Sequence, residues 1–127
     1  MPIRLPKSIV DKAGSIYSLD SKISSSLWVL RVLAPGKKRL VGHANCITEG
    51  KVLRLMDIEI DDGFRRQGLG SSLLKAIVEA SRFHHKLITG VIKTGDLAEY
   101  PDLPAWYEQN GFDVNRSATS ITFQKIV

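Results

Sequence analysis

A single cysteine, Cys46, in 127 residues rules out an internal disulfide, and its setting in the strand-like stretch 40–48 suits a packed thiol better than a nucleophile. No apolar run approaches the roughly 18 residues that a membrane-spanning helix needs. The opening Met1-Pro2-Ile3-Arg4-Leu5-Pro6-Lys7 has no signal-peptide core, so a cytoplasmic location is expected. Aromatic residues make up only 7% of the chain, and no stacking platform, zinc-ligand set or recognition-helix pattern accompanies its basic residues. Nucleic-acid binding is therefore a minor alternative. His84-His85 and His43 have no third partner in a metal-ligand pattern, which leaves them as surface residues at a helix end and on a strand face, with no metal expected. No serine–histidine–acid pattern has supporting context. With no repeat, low-complexity tract or linker, and 43% hydrophobic residues, one domain over 1–127 is expected.

What the chain does carry is positive charge. A formal charge of +5 and a pI near 9.5 favour polyanions: nucleic acid, an acidic protein surface or a phosphorylated cofactor. Lys37-Lys38-Arg39 follows Pro35-Gly36 and reads as a solvated hairpin turn. Arg65-Arg66 instead adjoins Gln67-Gly68-Leu69-Gly70, between a strand-like run and an amphipathic helix. Two glycines in that position let backbone N–H groups approach an anion, and the first turn of a helix adds unpaired donors and a positive dipole end. An ordinary turn can also look like this. The loop has neither the Gly-Lys-Ser/Thr ending of a nucleoside triphosphate loop nor the first glycine of a dinucleotide fingerprint.

Along the chain, 25–33 and 40–48 read as a hairpin across Ala34-Pro35-Gly36, and 51–60 continues the meander after Glu49-Gly50. Behind the glycines, Leu69, Leu73 and Ile77 repeat every fourth residue beside Leu74 and Val78, all core positions, while Ser71, Lys75, Glu79 and Arg82 face away. A strand over 86–93 completes a right-handed crossover. A short helix over 103–110 ends at Gly111, and 112–115 with 120–126 closes the sheet. Between Pro6 and Ser26 at most one short helix fits, over 8–13, and 94–102 reads as a loop. The fold class is α+β: a mixed, mostly antiparallel central sheet flanked by helices, with a shortened N-terminal helical region.

Arg65, Gly68 and Gly70 fit the pattern Gln/Arg-x-x-Gly-x-Gly/Ala, and Tyr107, Glu108, Gly111 and Phe112 fit Tyr-Glu-x-x-Gly-Phe about forty residues later. In this order, with a helix and a strand between them, the two motifs resemble those of the GNAT superfamily of acyl-CoA-dependent N-acetyltransferases. The resemblance implies that the strands before the glycine loop and after the long helix splay apart around the pantetheine arm of acetyl-CoA, with backbone contacts from Ile58 and Ile60. It implies a pyrophosphate facing the N–H groups of Gln67, Gly68, Leu69 and Gly70, with charge from Arg65 or Arg66. The short N-terminal region leaves an open acceptor groove, or one completed by a second subunit in a homodimer.

The implied reaction moves an acetyl group to a primary amine by direct attack in a ternary complex. An amine with a pKa near 10.4 must lose a proton, the tetrahedral oxyanion must be stabilised, and the departing thiolate must gain a proton. Asp57 and Glu59 are the candidate bases, with a solvent-facing strand position as the alternative. The N–H of Ile58 is the candidate oxyanion donor, and Tyr107 matches the family's usual general acid. Trp106 reads as packing or a lip of the pocket, and Asp96 and Glu99 as carboxylates placed to meet a cationic acceptor. Two readings compete: a GNAT-fold regulatory or interaction module without turnover, and a small basic nucleic-acid-binding domain.

Overall fold

Alternation of apolar and polar residues becomes a strand in each segment where the sequence carries it. The computed structural model describes residues 3–36 and 39–127 and gathers these strands into one eight-stranded sheet. Five of them, β1 (Ser8–Val10), β2 (Ile16–Ile23), β3 (Leu27–Leu33), β4 (Leu40–Glu49) and β5 (Val52–Ile60), form an antiparallel meander. Helix α1 (Leu69–Ser81) then crosses to β6 (Leu87–Ile92), which pairs parallel with β5. The short helices α2 (Thr94–Glu99) and α3 (Leu103–Gln109) lead to β7 (Asp113–Arg116) and β8 (Ile121–Ile126), and β8 lies between β6 and β7. Two of the basic-turn residues, Lys37 and Lys38, fall outside the described residues; Arg39 lies 5.6 Å from the centroid of the Phe64 ring. No helix among the described residues is long and apolar enough to cross a membrane.

The core sits on the face of the sheet that α1 covers. Trp28, Leu30 and Val32 on β3 and Ala44 and Cys46 on β4 are sealed from solvent, and α1 lays Leu69, Leu73, Leu74 and Ile77 across them. Each such aliphatic side chain contributes about 1.5–3 kcal/mol of burial. Burial also pushes the Cys46 thiol up to about 12, so it stays protonated and packed, as its strand setting suggests. The opposite residues of β2 to β4, including Ser18, Asp20, Arg31 and His43, form a second face that no helix covers among the described residues.

That open face follows from a correction at the N-terminus. Residues 8–13 form no helix; they supply β1 and the turn into β2. Asp11 decides this locally. Its Oδ1 accepts N–H bonds from Ala13 at 3.0 Å and Ser15 at 2.9 Å, and Gly14 takes a left-handed φ of 83°. Such a side-chain turn competes directly with helical hydrogen bonding. The hairpin then docks on the start of α1, where Lys12 donates its N–H to the Gln67 carbonyl at 2.7 Å and Ser72 donates its hydroxyl to the Val10 carbonyl. The segment 94–102 is corrected too, because α2 forms where a loop is expected.

His85 is likewise buried rather than at the surface: it is 4% exposed, meets the Trp28 ring edge-to-face at 5.8 Å, and places Nε2 3.3 Å from Thr48 Oγ1. Burial lowers its pKa from 6.5, and the Ser81 carbonyl only partly offsets this. The folded protein thus holds His85 neutral at a pH where the unfolded chain takes up a proton. Its contribution to stability is complete above about pH 6.5 and is lost as the pH falls below that toward the folded-state value. Melting temperatures measured between about pH 7.5 and 5 should fall for the wild type and fall less for His85→Gln. An equal fall in both would exclude His85 as the source.

Candidate functional site

Met56 is the residue around which the site opens. Asn45 pairs with Asp57 and Cys46 with Leu55, so Met56 has no partner across the ladder and forms a β-bulge. Beside it, β5 and β6 pair only at Val52–Leu87, Leu53–Ile88 and Arg54–Thr89. Past that point β6 remains paired with β8 as far as Ile92, and β5 remains paired with β4. The two parallel strands therefore diverge, and a cleft of about 670 Å³ opens between them. Residues 55–60 of β5 and Val91 and Ile92 of β6 form its walls, and the glycine loop and residues of α2 and α3 complete its lining. Backbone groups of β5 in the splayed segment have no strand on that side, so, apart from the Ile60 carbonyl that Arg65 bonds, they can bond a ligand laid along it.

The loop end is built for an anion. After a 3-10 turn at Asp62–Phe64, Arg66 has φ 61° and Gly68 has φ 80°, and Gly68 caps α1. Ser72 is the first residue of α1 to bond back, to the Gly68 carbonyl at 3.1 Å, so the N–H groups of the preceding helical residues stay outside the helical ladder. Gly70 opens on the cleft: a side chain there would meet Trp106 Cζ2 at an ordinary 3.5 Å from Cβ.

Arg65 lines the cleft, but its guanidinium is already engaged. Nε donates to the Ile60 carbonyl at 2.6 Å and lies 3.1 Å from Asp62 Oδ1, Nη2 lies 3.6 Å from Glu59, and the group stacks 3.8 Å from the Tyr100 ring centroid. Arg65 clamps the loop to β5, and it occupies the Ile60 carbonyl, one of the two strand positions expected to contact a cofactor. The exposed Arg66 has no ion pair among the described residues. Gln67 and Leu69 do not line the cleft: Leu69 is a core residue, and the Gln67 carbonyl is taken by Lys12. Lys12 itself lines the cleft, its Cγ packed so close that a Cβ on Gly68 would sit 2.7 Å from it. No local signal marks this lysine in the sequence; it arrives through docking of the N-terminal hairpin.

The proton-transfer candidates line the same cleft. Tyr107 is 4% exposed and stacks on Phe123 at 3.9 Å and 12°, with Phe112 at 5.8 Å and Trp106 at 4.9 Å meeting it edge-on. Gly111, at φ 86°, ends α3 and turns Phe112 back, whose N–H bonds the Tyr107 carbonyl at 3.0 Å. The sealed side-chain atoms without partners among the described residues are Trp28 Nε1 and His85 Nδ1. The Tyr107 hydroxyl, which bonds no described residue, is therefore not sealed, and Tyr107 is a lining residue of the cleft. Burial, reinforced by the charges of Asp96 and Asp57, raises its pKa well above 10.0 and holds the phenol in its donor form.

Asp57 and Glu59 both line the cleft and both have cationic partners. Asp57 Oδ1 lies 3.0 Å from Lys93 Nζ, raising the lysine's pKa, whereas Glu59 faces Arg65. The charge of Asp57 adds to the rise of the Tyr107 pKa. No group of three His, Cys, Asp or Glu residues suited to a metal occurs among the described residues.

Residues 24–114 match the acetyltransferase (GNAT) domain family. No curated protein matches the chain. Among solved structures it resembles the GNAT domain of S. lividans PAT, at 8% identity and a TM-score of 0.77 over 94% of this chain and 96% of that one. It also resembles PaiA N-acetyltransferase from Thermoplasma acidophilum in complex with coenzyme A, at 14% identity and a TM-score of 0.63 over 80% of this chain. It spans 62% of that protein's length. A third similar structure is an Arabidopsis thaliana protein in complex with the bisubstrate analogue CoA-Ac-MVNAL, at 16% identity and a TM-score of 0.64 over 78% of this chain and 72% of that one.

Proposed function

The chain belongs to the acetyltransferase (GNAT) domain family, and from that membership we propose that residues 1–127 act as one domain that moves the acetyl group of acetyl-CoA to a primary amine. The observation that carries this reading is the cleft between β5 and β6, which is lined both by the glycine loop at the start of α1, with its N–H groups outside the helical ladder, and by Tyr107. One similar structure holds coenzyme A and another an analogue joining coenzyme A to an acetylated peptide, which fits a thioester donor and an amine acceptor meeting in one site.

In this reading the N–H groups at the start of α1 face the pyrophosphate, and Lys12 and Arg66 supply the charge that Arg65 cannot. The splayed segment of β5 offers its backbone to the pantetheine arm, with the Ile58 N–H as oxyanion donor. Asp57, rather than Glu59, takes the amine proton, directly or through water. The amine nitrogen bonds the thioester carbon, the C–S bond breaks, and Tyr107 donates its hydrogen to the departing sulfur. Attack is direct, because the one cysteine is sealed in the core on β4.

Lys12 gives the sharpest test of the phosphate end. Lys12→Ala should weaken acetyl-CoA binding about three- to ten-fold, the range for a solvent-facing charge-assisted contact. It should leave binding of acetyl-pantetheine, which has no pyrophosphate, unaltered in parallel titrations. Equal losses on both ligands would remove Lys12 from the phosphate site.

A further inference from the structure

An amine of the protein itself stands beside the carboxylate assigned to the acceptor. Asp57 follows the Met56 bulge on β5, beyond the last pairing of that strand with β6. Lys93 follows Ile92, the end of β6, and is the N-cap residue of α2. Its Nζ donates to Asp57 Oδ1 at 3.0 Å, so the pair bridges the two strands beyond the point where they part. Asp57 and Ile92 both line the cleft. Among the described residues Lys93 is the one lysine in an ion pair; every other pair is made by an arginine. With side chains 56% and 43% exposed, such a pair adds little to stability. What it does is hold a primary amine, on a flexible stem, against the group that is to take an amine's proton. An ammonium bonded to the base is also the arrangement that any acceptor must reach before transfer.

We propose that Lys93 is itself an acceptor: with acetyl-CoA bound and no other amine present, the protein acetylates Lys93 within the same molecule. This rests on the acetyltransferase reading, with Asp57 as the base. The Lys93 ammonium gives one proton to Asp57, the freed lone pair bonds the thioester carbon, the C–S bond breaks, and Tyr107 gives its hydrogen to the departing sulfur. The second proton that the nitrogen sheds restores the phenol, and Asp57 returns its proton to water. The products are coenzyme A and a neutral acetyl-lysine, with one proton released. Acetylation removes the charge that pairs with Asp57. Asp57 first, and Asp96 after it, hold the Lys93 pKa above its ordinary 10.5, which keeps the neutral amine scarce and makes self-transfer slow beside turnover of a good external acceptor.

The test is incubation of the full chain, its Lys93 unmodified at the start, with acetyl-CoA and no amine, followed by intact mass and peptide mapping. The wild type should gain one acetyl group at Lys93, with a first-order rate constant that does not change with protein concentration. Lys93→Arg keeps a cation for Asp57 but offers no acceptor amine, so it should lack that acetyl group while the slow background on its other lysines is unaltered. Tyr107→Phe should slow the gain at Lys93 by about tenfold or more, because uncatalysed attack on the thioester does not use the phenol. The thermal shift of each variant with acetyl-CoA reports whether its fold and donor site survive. No acetyl group on Lys93 in a protein that turns over an external amine would overturn the proposal and leave the acetyltransferase reading standing. A gain at Lys93 no faster than at other exposed lysines, untouched by Tyr107→Phe, or rising in rate with protein concentration would overturn it as well. Absence of any acetyl-CoA shift in the wild type would remove the reading beneath it and the proposal together.

Discussion

Tyr107→Phe should lower kcat by about 10²- to 10⁴-fold while leaving acetyl-CoA binding intact, the range expected when a positioned acid is removed from the departing group. The hydroxyl bonds no described residue, whereas the ring stacks on Phe123 at 3.9 Å, and phenylalanine keeps that stack. Stability should therefore stay within about 0.5 kcal/mol, so a loss of turnover cannot be charged to unfolding. Because burial raises the phenol's pKa above 10.0, it remains a donor across the neutral range, and the activity profile of the wild type should show no alkaline decline from Tyr107 below about pH 10. Steady-state kinetics with any competent amine decides the matter. A kcat within about twofold of wild type would give the proton to water and leave Tyr107 as core packing.

The second large effect is on stability. Gly90 lies under the Phe123 ring, and a Cβ there would sit 2.1 Å from Phe123 Cζ and within 2.8 Å of both Cε atoms. No rotation of the alanine relieves this. Phe123 is itself held from behind by the Tyr107 stack and at its edge by Phe112, 5.7 Å away. Gly90→Ala should thus cost about 3 kcal/mol or more, at the upper end of overpacking effects, and lower the melting temperature by roughly 10 °C. Phe123→Leu in the same chain should recover part of the loss, a non-additivity that a double-mutant cycle would measure. A melting temperature for Gly90→Ala within about 2 °C of wild type would show that the ring can move, and the rigid backing assigned to Tyr107 would fall with it.

Strands β3 to β8 and α1 are legible because each writes its period into the sequence. Leu69, Leu73 and Ile77 recur at helical spacing, and Trp28, Leu30 and Val32 alternate with outward residues. Gly68 and Gly70 announced the loop because a left-handed backbone and a close approach leave few other choices. The bulge at Met56 was hidden, since inward-facing Leu55 and Ile58 on either side of it make the run look continuous. The N-terminal hairpin is not legible, because no apolar repeat distinguishes a helix from two short strands there, and the Asp11 turn settles it through side-chain bonds. Helix α2 carries Thr94, Gly95 and Asp96 in its first turn and buries no residue, so it has no stripe to read. Arg65 and Lys12 exchange their expected importance for one reason. The stack of Arg65 on Tyr100 and the docking of a hairpin some fifty residues away are tertiary facts, and motif spacing does not contain them.

The central claim is that the loop 66–70 and the splayed segment of β5 bind coenzyme A, and titration of acetyl-CoA against thermal unfolding tests it most directly. The wild type should show a saturable rise, approaching about 2.7 kcal/mol of added stability at a hundredfold excess over Kd. Gly70→Glu should melt like the wild type without ligand, because its Cβ meets only Trp106 and Ile60 at ordinary contact distance, yet show no shift with it. No shift of the wild type at millimolar acetyl-CoA, or an equal shift in Gly70→Glu, would contradict the claim.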